Sequence, residues 1–123
     1  MSSGTEFDAL VERALAEIPR AFLDLITNVE ISVRDRPGRE AGRWKGASSL
    51  MGIYLGPPRE ELASVVAQIV EPARIVLYRR NIESGCRAPE DVARQIRLTL
   101  RHELAHHFGF SDRDLKEKWP EGA

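Results

Sequence analysis

Apolar side chains recur along the first part of this chain at the spacing of one helical face. Phe7, Leu10, Val11, Ala14, Leu15 and Ile18 fall three and four residues apart, the period of an amphipathic helix. Residues 1–4 read as a frayed terminus, and Thr5 is the candidate cap. Pro19 interrupts the pattern, and a further turn or two carries Phe22, Leu23 and Ile26. The period then changes. In NVEISVR (28–34), Val29, Ile31 and Val33 alternate with polar residues, which predicts a half-buried strand. Residues 35–49 are rich in Gly, Arg and Ser and read as a loop. LMGIYL (50–55) is a short apolar run ended by Gly56-Pro57-Pro58, and it reads as strand. Leu62, Val65, Val66 and Ile69 share one side of a predicted helix over 58–68. ARIVLYR (73–79) follows Pro72 and is rich in β-branched and aromatic residues, so it reads as a strand. Residues 80–88, which include Cys86, form a connector.

The clearest pattern covers residues 89–108. Pro89 stands where a helix begins, with Glu90 and Asp91 at its positive end. Val92, Ala93, Ile96, Leu100 and Leu104 form one stripe, and Arg94, Arg97 and Arg101 lie together on another. Gly109 ends the helix, since glycine readily adopts the left-handed turn at a C-terminus. Elements in this order predict an α+β fold. A small mixed sheet packs on an N-terminal helix and on the long helix 89–108.

Length and composition then bound the reading. A chain of 123 residues suits one domain over 1–123, which can bury roughly two thirds of its unfolded surface. The net charge is −1, without the basic excess expected of a nucleic-acid binder. The start lacks a secretory signal, and no apolar run approaches the roughly 18 residues of a membrane helix. With a single cysteine, these features point to the cytoplasm.

The candidate chemistry lies at the end of the long helix. All three histidines, His102, His106 and His107, fall within six residues. The segment from His102 reads HELAHHFGFSD and contains H-E-x-x-H. Residues four apart share a helical face, so His102 and His106 aim two imidazoles at one metal. Glu103 lies about 100° around from His102 and about 60° from His106. It stands beside the metal without ligating it, where a general base for a metal-bound water belongs. A catalytic zinc needs a third protein ligand and an open fourth position. Asp112 is the candidate, with Gly109 supplying the sharp turn that returns it to the metal. His107 points about 100° past His106 and reads as a partly buried, hydrogen-bonded residue.

The pattern H-E-x-x-H-x-x-G-x-x-D resembles the extended metzincin motif, with Asp in place of the last His. The chain over about 28–115 more closely resembles the small bacterial zincin-like, or minimal, metallopeptidases. LMGIYLGPP at 50–58, ARIVLYRR at 73–80 and HELAHHFGFSD at 102–112 carry that resemblance. It implies a zinc-dependent peptidase that hydrolyses peptide bonds through a zinc-bound water. Zn²⁺ sits on His102, His106 and Asp112, with Glu103 as general base. It also implies a peptide or protein substrate paired with an edge strand near 50–55, where Gly52 and Gly56 permit close approach; a short core strand ending in a turn is the equal reading of the same residues. The alternative is a non-proteolytic, metal-binding domain of the same fold that binds a partner. Metzincins carry a methionine turn downstream of the helix. Here Met1 and Met51 both lie upstream, and eleven residues follow Asp112, so no C-terminal subdomain is expected.

The remaining residues have plainer readings. The arginine strip reads as a solvated face, with docking as the other reading. Cys86 reads as an inert thiol. Tyr54 and Tyr78 read as core residues with their hydroxyls at the edge, and Trp44 and Trp119 as lids over the core.

Overall fold

The computed structural model describes residues 4–26, 28–56 and 73–120. Helix α1 spans Gly4–Ala16, so it already includes Thr5 rather than starting after it. Phe7, Val11, Ala14 and Ile18 are buried on one side, as the apolar stripe predicts. Pro19 lacks an N–H and closes that helix, and the short α2 follows at Arg20–Leu23.

Among the described residues three strands form one sheet in the order β1-β3-β2. Strand β1 is Val29–Arg34, β2 is Gly52–Leu55 and β3 is Ala73–Tyr78. β1 runs parallel to β3, with Ile31 opposite Ile75. β2 runs antiparallel to it, with Gly52 opposite Leu77 and Tyr54 opposite Ile75. The central position of β3 explains its unbroken apolar run, since a strand covered on both faces needs no polar alternation. Ile75, Val76, Leu77 and Tyr78 are all fully buried. The expected helix over 58–68 lies outside the described residues.

Helix α4, Pro89–Phe108, packs against α1, β2 and β3. Its buried residues Val92, Ile96, Leu100 and Leu104 join Phe7, Val11 and Ile18 in one core. Pro89 occupies its first turn, and the Asp91 carboxylate accepts the Ala88 N–H at 3.2 Å. Its other end closes as a Schellman motif. Gly109 sits at φ 76, ψ 22, its N–H donates to the His106 carbonyl at 3.1 Å, and the Phe110 N–H donates to the Ala105 carbonyl at 2.9 Å.

Two further helices lie where the sequence showed no helical period, one of them at the start of the expected connector. Helix α3, Arg79–Ser84, is too short to show an apolar period. It carries the buried Asn81, whose amide donates to the carbonyls of Ala47 and Leu50 at 2.8 and 2.7 Å. That clamp fixes the chain just before β2. Helix α5, Asp112–Lys118, is capped by Ser111, whose Oγ accepts the Asp114 N–H at 3.1 Å. The Asp114 carboxylate accepts the Ser111 N–H in return at 3.0 Å. The Ser111–Asp114 spacing is a capping signal visible in the sequence.

The loop over 35–49 contains a 3₁₀ segment, Arg39–Trp44. Its Ala41 is buried while Trp44 is 46% exposed, with the Arg43 guanidinium 5.0 Å from the ring centroid. Trp44 is therefore not a lid over the core, whereas Trp119 is buried in it. The loop is tied down by Glu40 instead. Its carboxylate accepts the Tyr78 hydroxyl at 2.8 Å and the Gly38 N–H at 2.9 Å. No helix among the described residues is long and apolar enough to cross a membrane.

Candidate metal centre

His102 and His106 stand one turn apart on the exposed side of α4. Their ring centroids are 5.0 Å apart with planes at 87°. Neither ring has a hydrogen-bond partner among the described residues. Two imidazoles one turn apart, with ring nitrogens not committed to other groups, fit a zinc ion's preferred donors.

Glu103 lies on the inward side of the pair and is only 7% exposed. Burial pushes its carboxyl above the ordinary value of 4.5. Positive charge on His102 and His106 and the backbone N–H of Tyr54 pull the other way without overcoming it. The Tyr54 N–H comes from β2, so the strand and the helix meet at this carboxylate. The contact requires glycine at position 52. A Cβ there would lie 2.7 Å from Thr99 Cγ2 and 3.2 Å from the Val76 carbonyl. Gly52 thus allows a close approach of strand to helix within the molecule itself. Gly56, at φ 136, makes a second such approach to Ala73.

His107 turns away from its two neighbours. It is fully buried, and its Nδ1 shares a hydrogen bond with the Tyr54 hydroxyl at 3.0 Å. Burial raises the Tyr54 phenol to about 12, so it is protonated across the neutral range. The hydroxyl is engaged with His107. The Tyr78 hydroxyl is engaged with Glu40, far along the sheet register from Tyr54. Cys86 donates its thiol to the Ile82 carbonyl at 3.2 Å, and burial with the nearby Asp91 and Glu83 raises its pKa. A raised thiol pKa disfavours the nucleophilic thiolate.

Asp112 is the first residue of α5 and is exposed. Among the described residues, no group of three or more His, Cys, Asp or Glu side chains is arranged to hold a metal ion. The structure brings His102, His106 and Glu103 together at the end of α4 and does not gather Asp112 with the two imidazoles. The sequence reading missed the tie from Tyr54 to Glu103. A main-chain donor leaves no mark in residue identity.

Residues 26–120 match the family model of zincin-like metallopeptidases, and the chain belongs to that family. A solved structure of similar fold is a conserved hypothetical protein from T. thermophilus. It is 23% identical with a TM-score of 0.57, over 87% of this chain and 94% of that one. No curated protein matches the sequence. The three-stranded mixed sheet with its flanking helices is consistent with the zincin-like fold of the family.

Proposed function

We propose that the protein is a zinc-dependent peptidase. One observation carries the reading. Two imidazoles on one exposed helical face stand beside a buried carboxylate whose pKa is raised. His102 and His106 would be two of the ligands, and Asp112, just beyond the turn at Gly109, would be the third. When bound there, zinc supplies Lewis acidity, polarising a carbonyl and lowering the pKa of water towards about 7. Glu103 accepts the proton of the attacking water as its oxygen bonds to the peptide carbonyl carbon. It then delivers that proton to the leaving amine as the C–N bond breaks. Its carboxyl must hold the proton between the two transfers.

The substrate is an extended peptide laid along β2. Strand β2 is at the edge of the described sheet. The Tyr78 N–H donates to the Met51 carbonyl at 2.9 Å. Antiparallel alternation then turns the main-chain groups of Gly52 and Tyr54 away from β3. Glu103 takes the Tyr54 N–H, and the remaining outward groups offer a peptide its pairing partners.

The second reading, a metal-binding domain that docks a partner without cleaving it, is favoured by the position of Asp112. Metal content of the purified protein and cleavage of a peptide library test both. We expect zinc in the parent protein and its loss in His106→Ala and Asp112→Ala. Glu103→Gln is expected to keep zinc and lose activity by about 10²- to 10⁴-fold. Full metal in both ligand variants, or undiminished cleavage in Glu103→Gln, overturns the peptidase site. Zinc bound by the parent with no cleavage supports the second reading.

A further inference from the structure

On the side of α4 that faces α1, the arginine strip does not simply meet solvent. It forms a wall of a groove of about 560 Å³ that also includes Arg13, Ile18 and Trp119. That volume lies within the roughly 300–1,000 Å³ of small-molecule sites. Four arginines line it, Arg13, Arg94, Arg97 and Arg101, against one acid, Glu17. Glu17 is already paired with Arg13 at 3.0 Å. Among the described residues neither Arg97 nor Arg101 has an ion-pair partner. The Arg101 Nε donates to the Trp119 carbonyl at 2.8 Å. This anchors the guanidinium and leaves its two terminal NH₂ groups for other acceptors.

Along the helix, Arg94, Arg97 and Arg101 rise about 4.5 and about 6 Å from one to the next. Planar guanidinium forks match phosphoryl oxygens two at a time. A row of three at this pitch suits a ligand with several linked phosphoryl groups better than a single anion. Beside the arginines and Glu17 the groove has an apolar part, with Ile18 and Trp119, which can take an uncharged part of the same molecule. An excess of positive charge in a concave site raises the local concentration of anions. We infer that this groove binds a multiply phosphorylated small molecule, with its phosphoryl groups on Arg94, Arg97 and Arg101. The site is separate from the histidines and does not depend on peptidase activity.

The test uses the full chain carrying Trp44→Phe. The sequence has two tryptophans, so Trp119 becomes the sole indole reporter in the groove. Inorganic tripolyphosphate and ATP are titrated at low and at physiological salt, with binding followed by fluorescence and by calorimetry. Saturable binding is expected for both, weakening as salt rises. Arg94→Ala/Arg97→Ala is expected to lose at least about tenfold in affinity. Both residues are exposed, so folding should survive, as a circular dichroism melt checks. Arg80→Ala, on α3 and outside the groove, is expected to bind as the parent does. Removal of metal by the probe would persist in the arginine variants and so is distinguishable. Absence of saturable binding, or equal affinity in the double arginine variant, overturns the assignment. Tighter arginine-dependent binding of a twelve-residue oligothymidylate than of tripolyphosphate overturns it in favour of a nucleic-acid groove.

Discussion

The Tyr54 hydroxyl lies 3.0 Å from Nδ1 of the buried His107, while the backbone N–H of the same tyrosine contacts the Glu103 carboxylate. One residue of β2 therefore grips α4 twice, at a structural histidine and at the candidate base. Tyr54→Phe removes the first grip and keeps the second. A buried polar atom that loses its partner costs about 1–3 kcal/mol, so Tyr54→Phe should lower unfolding stability by that much. Zinc content should not change. Urea unfolding and metal analysis on the same sample check both. Loss of zinc in this variant would show that the residue acts on the metal ligands.

His107 and His106 should separate in the same way. His107→Ala opens a cavity in the core and should cost about 2–5 kcal/mol, by analogy with other large-to-small core changes. His106→Ala alters an exposed side chain. It should leave metal-free stability within about 0.5 kcal/mol of the parent while reducing zinc affinity. Denaturation of metal-free protein distinguishes them, and equal losses in the two variants would contradict the division of roles.

Gly52→Ala should force β2 away from α4, because the added methyl meets Thr99 Cγ2. Overpacking of this kind costs about 1–3 kcal/mol. Thr99→Ser removes that methyl and keeps a hydroxyl able to donate to the Gln95 carbonyl, as Thr99 does at 2.8 Å. The double variant should recover part of the loss, which a double-mutant cycle reads directly. Simple additivity would mean that the Val76 carbonyl, not Thr99, sets the limit.

The loop latch should respond to pH. Burial would raise the Glu40 carboxyl, but bonds from the Gly38 N–H and the Tyr78 hydroxyl outweigh it and hold its pKa below 4.5. A depressed folded pKa contributes stability that is full above 4.5 and is lost as pH falls through the lower folded value. Tyr78 has the opposite sign. Burial and Glu40 raise its pKa above 10.0, so its contribution is present below that value and is lost as pH rises through the folded one. Glu40→Ala leaves a buried hydroxyl without its acceptor, at about 1–3 kcal/mol. It should also flatten the acid limb of the stability profile. Melting temperature against pH from 3 to 7 tests this, and an unchanged acid limb would remove Glu40 from the account.

Zinc affinity should itself be weaker in acid than at neutral pH, because ligands must shed their protons to bind the metal. Zinc titrations at pH 7.5 and 5.5 measure it. Equal affinities at the two values would speak against histidine ligands.

Periodicity made most of the elements readable, and it made the His102, Glu103 and His106 arrangement readable with them. A helix converts spacing into direction, so three residues in one helix declare their mutual geometry without any knowledge of the rest. The same argument turned His107 toward the core, and the turn at Gly109 followed from the conformational freedom of glycine. Helix α3 escaped notice because six residues carry too little pattern. Helix α5 escaped although its Ser111–Asp114 cap was present. Contacts between elements far apart in sequence belong to another class. The Tyr54 bonds to His107 and Glu103, the Glu40 latch on Tyr78 and the joining of Arg13 to the arginines of α4 each depend on how separate elements dock. That docking is set by the collective burial of one core, with Phe7, Ile18, Ile96 and Leu100 among its members. The sequence alone therefore determined the exposed histidine stripe of the candidate site and the fold class. Only tertiary packing decided which strand braces the base, and it turned an arginine strip that looked merely solvated into one wall of a groove.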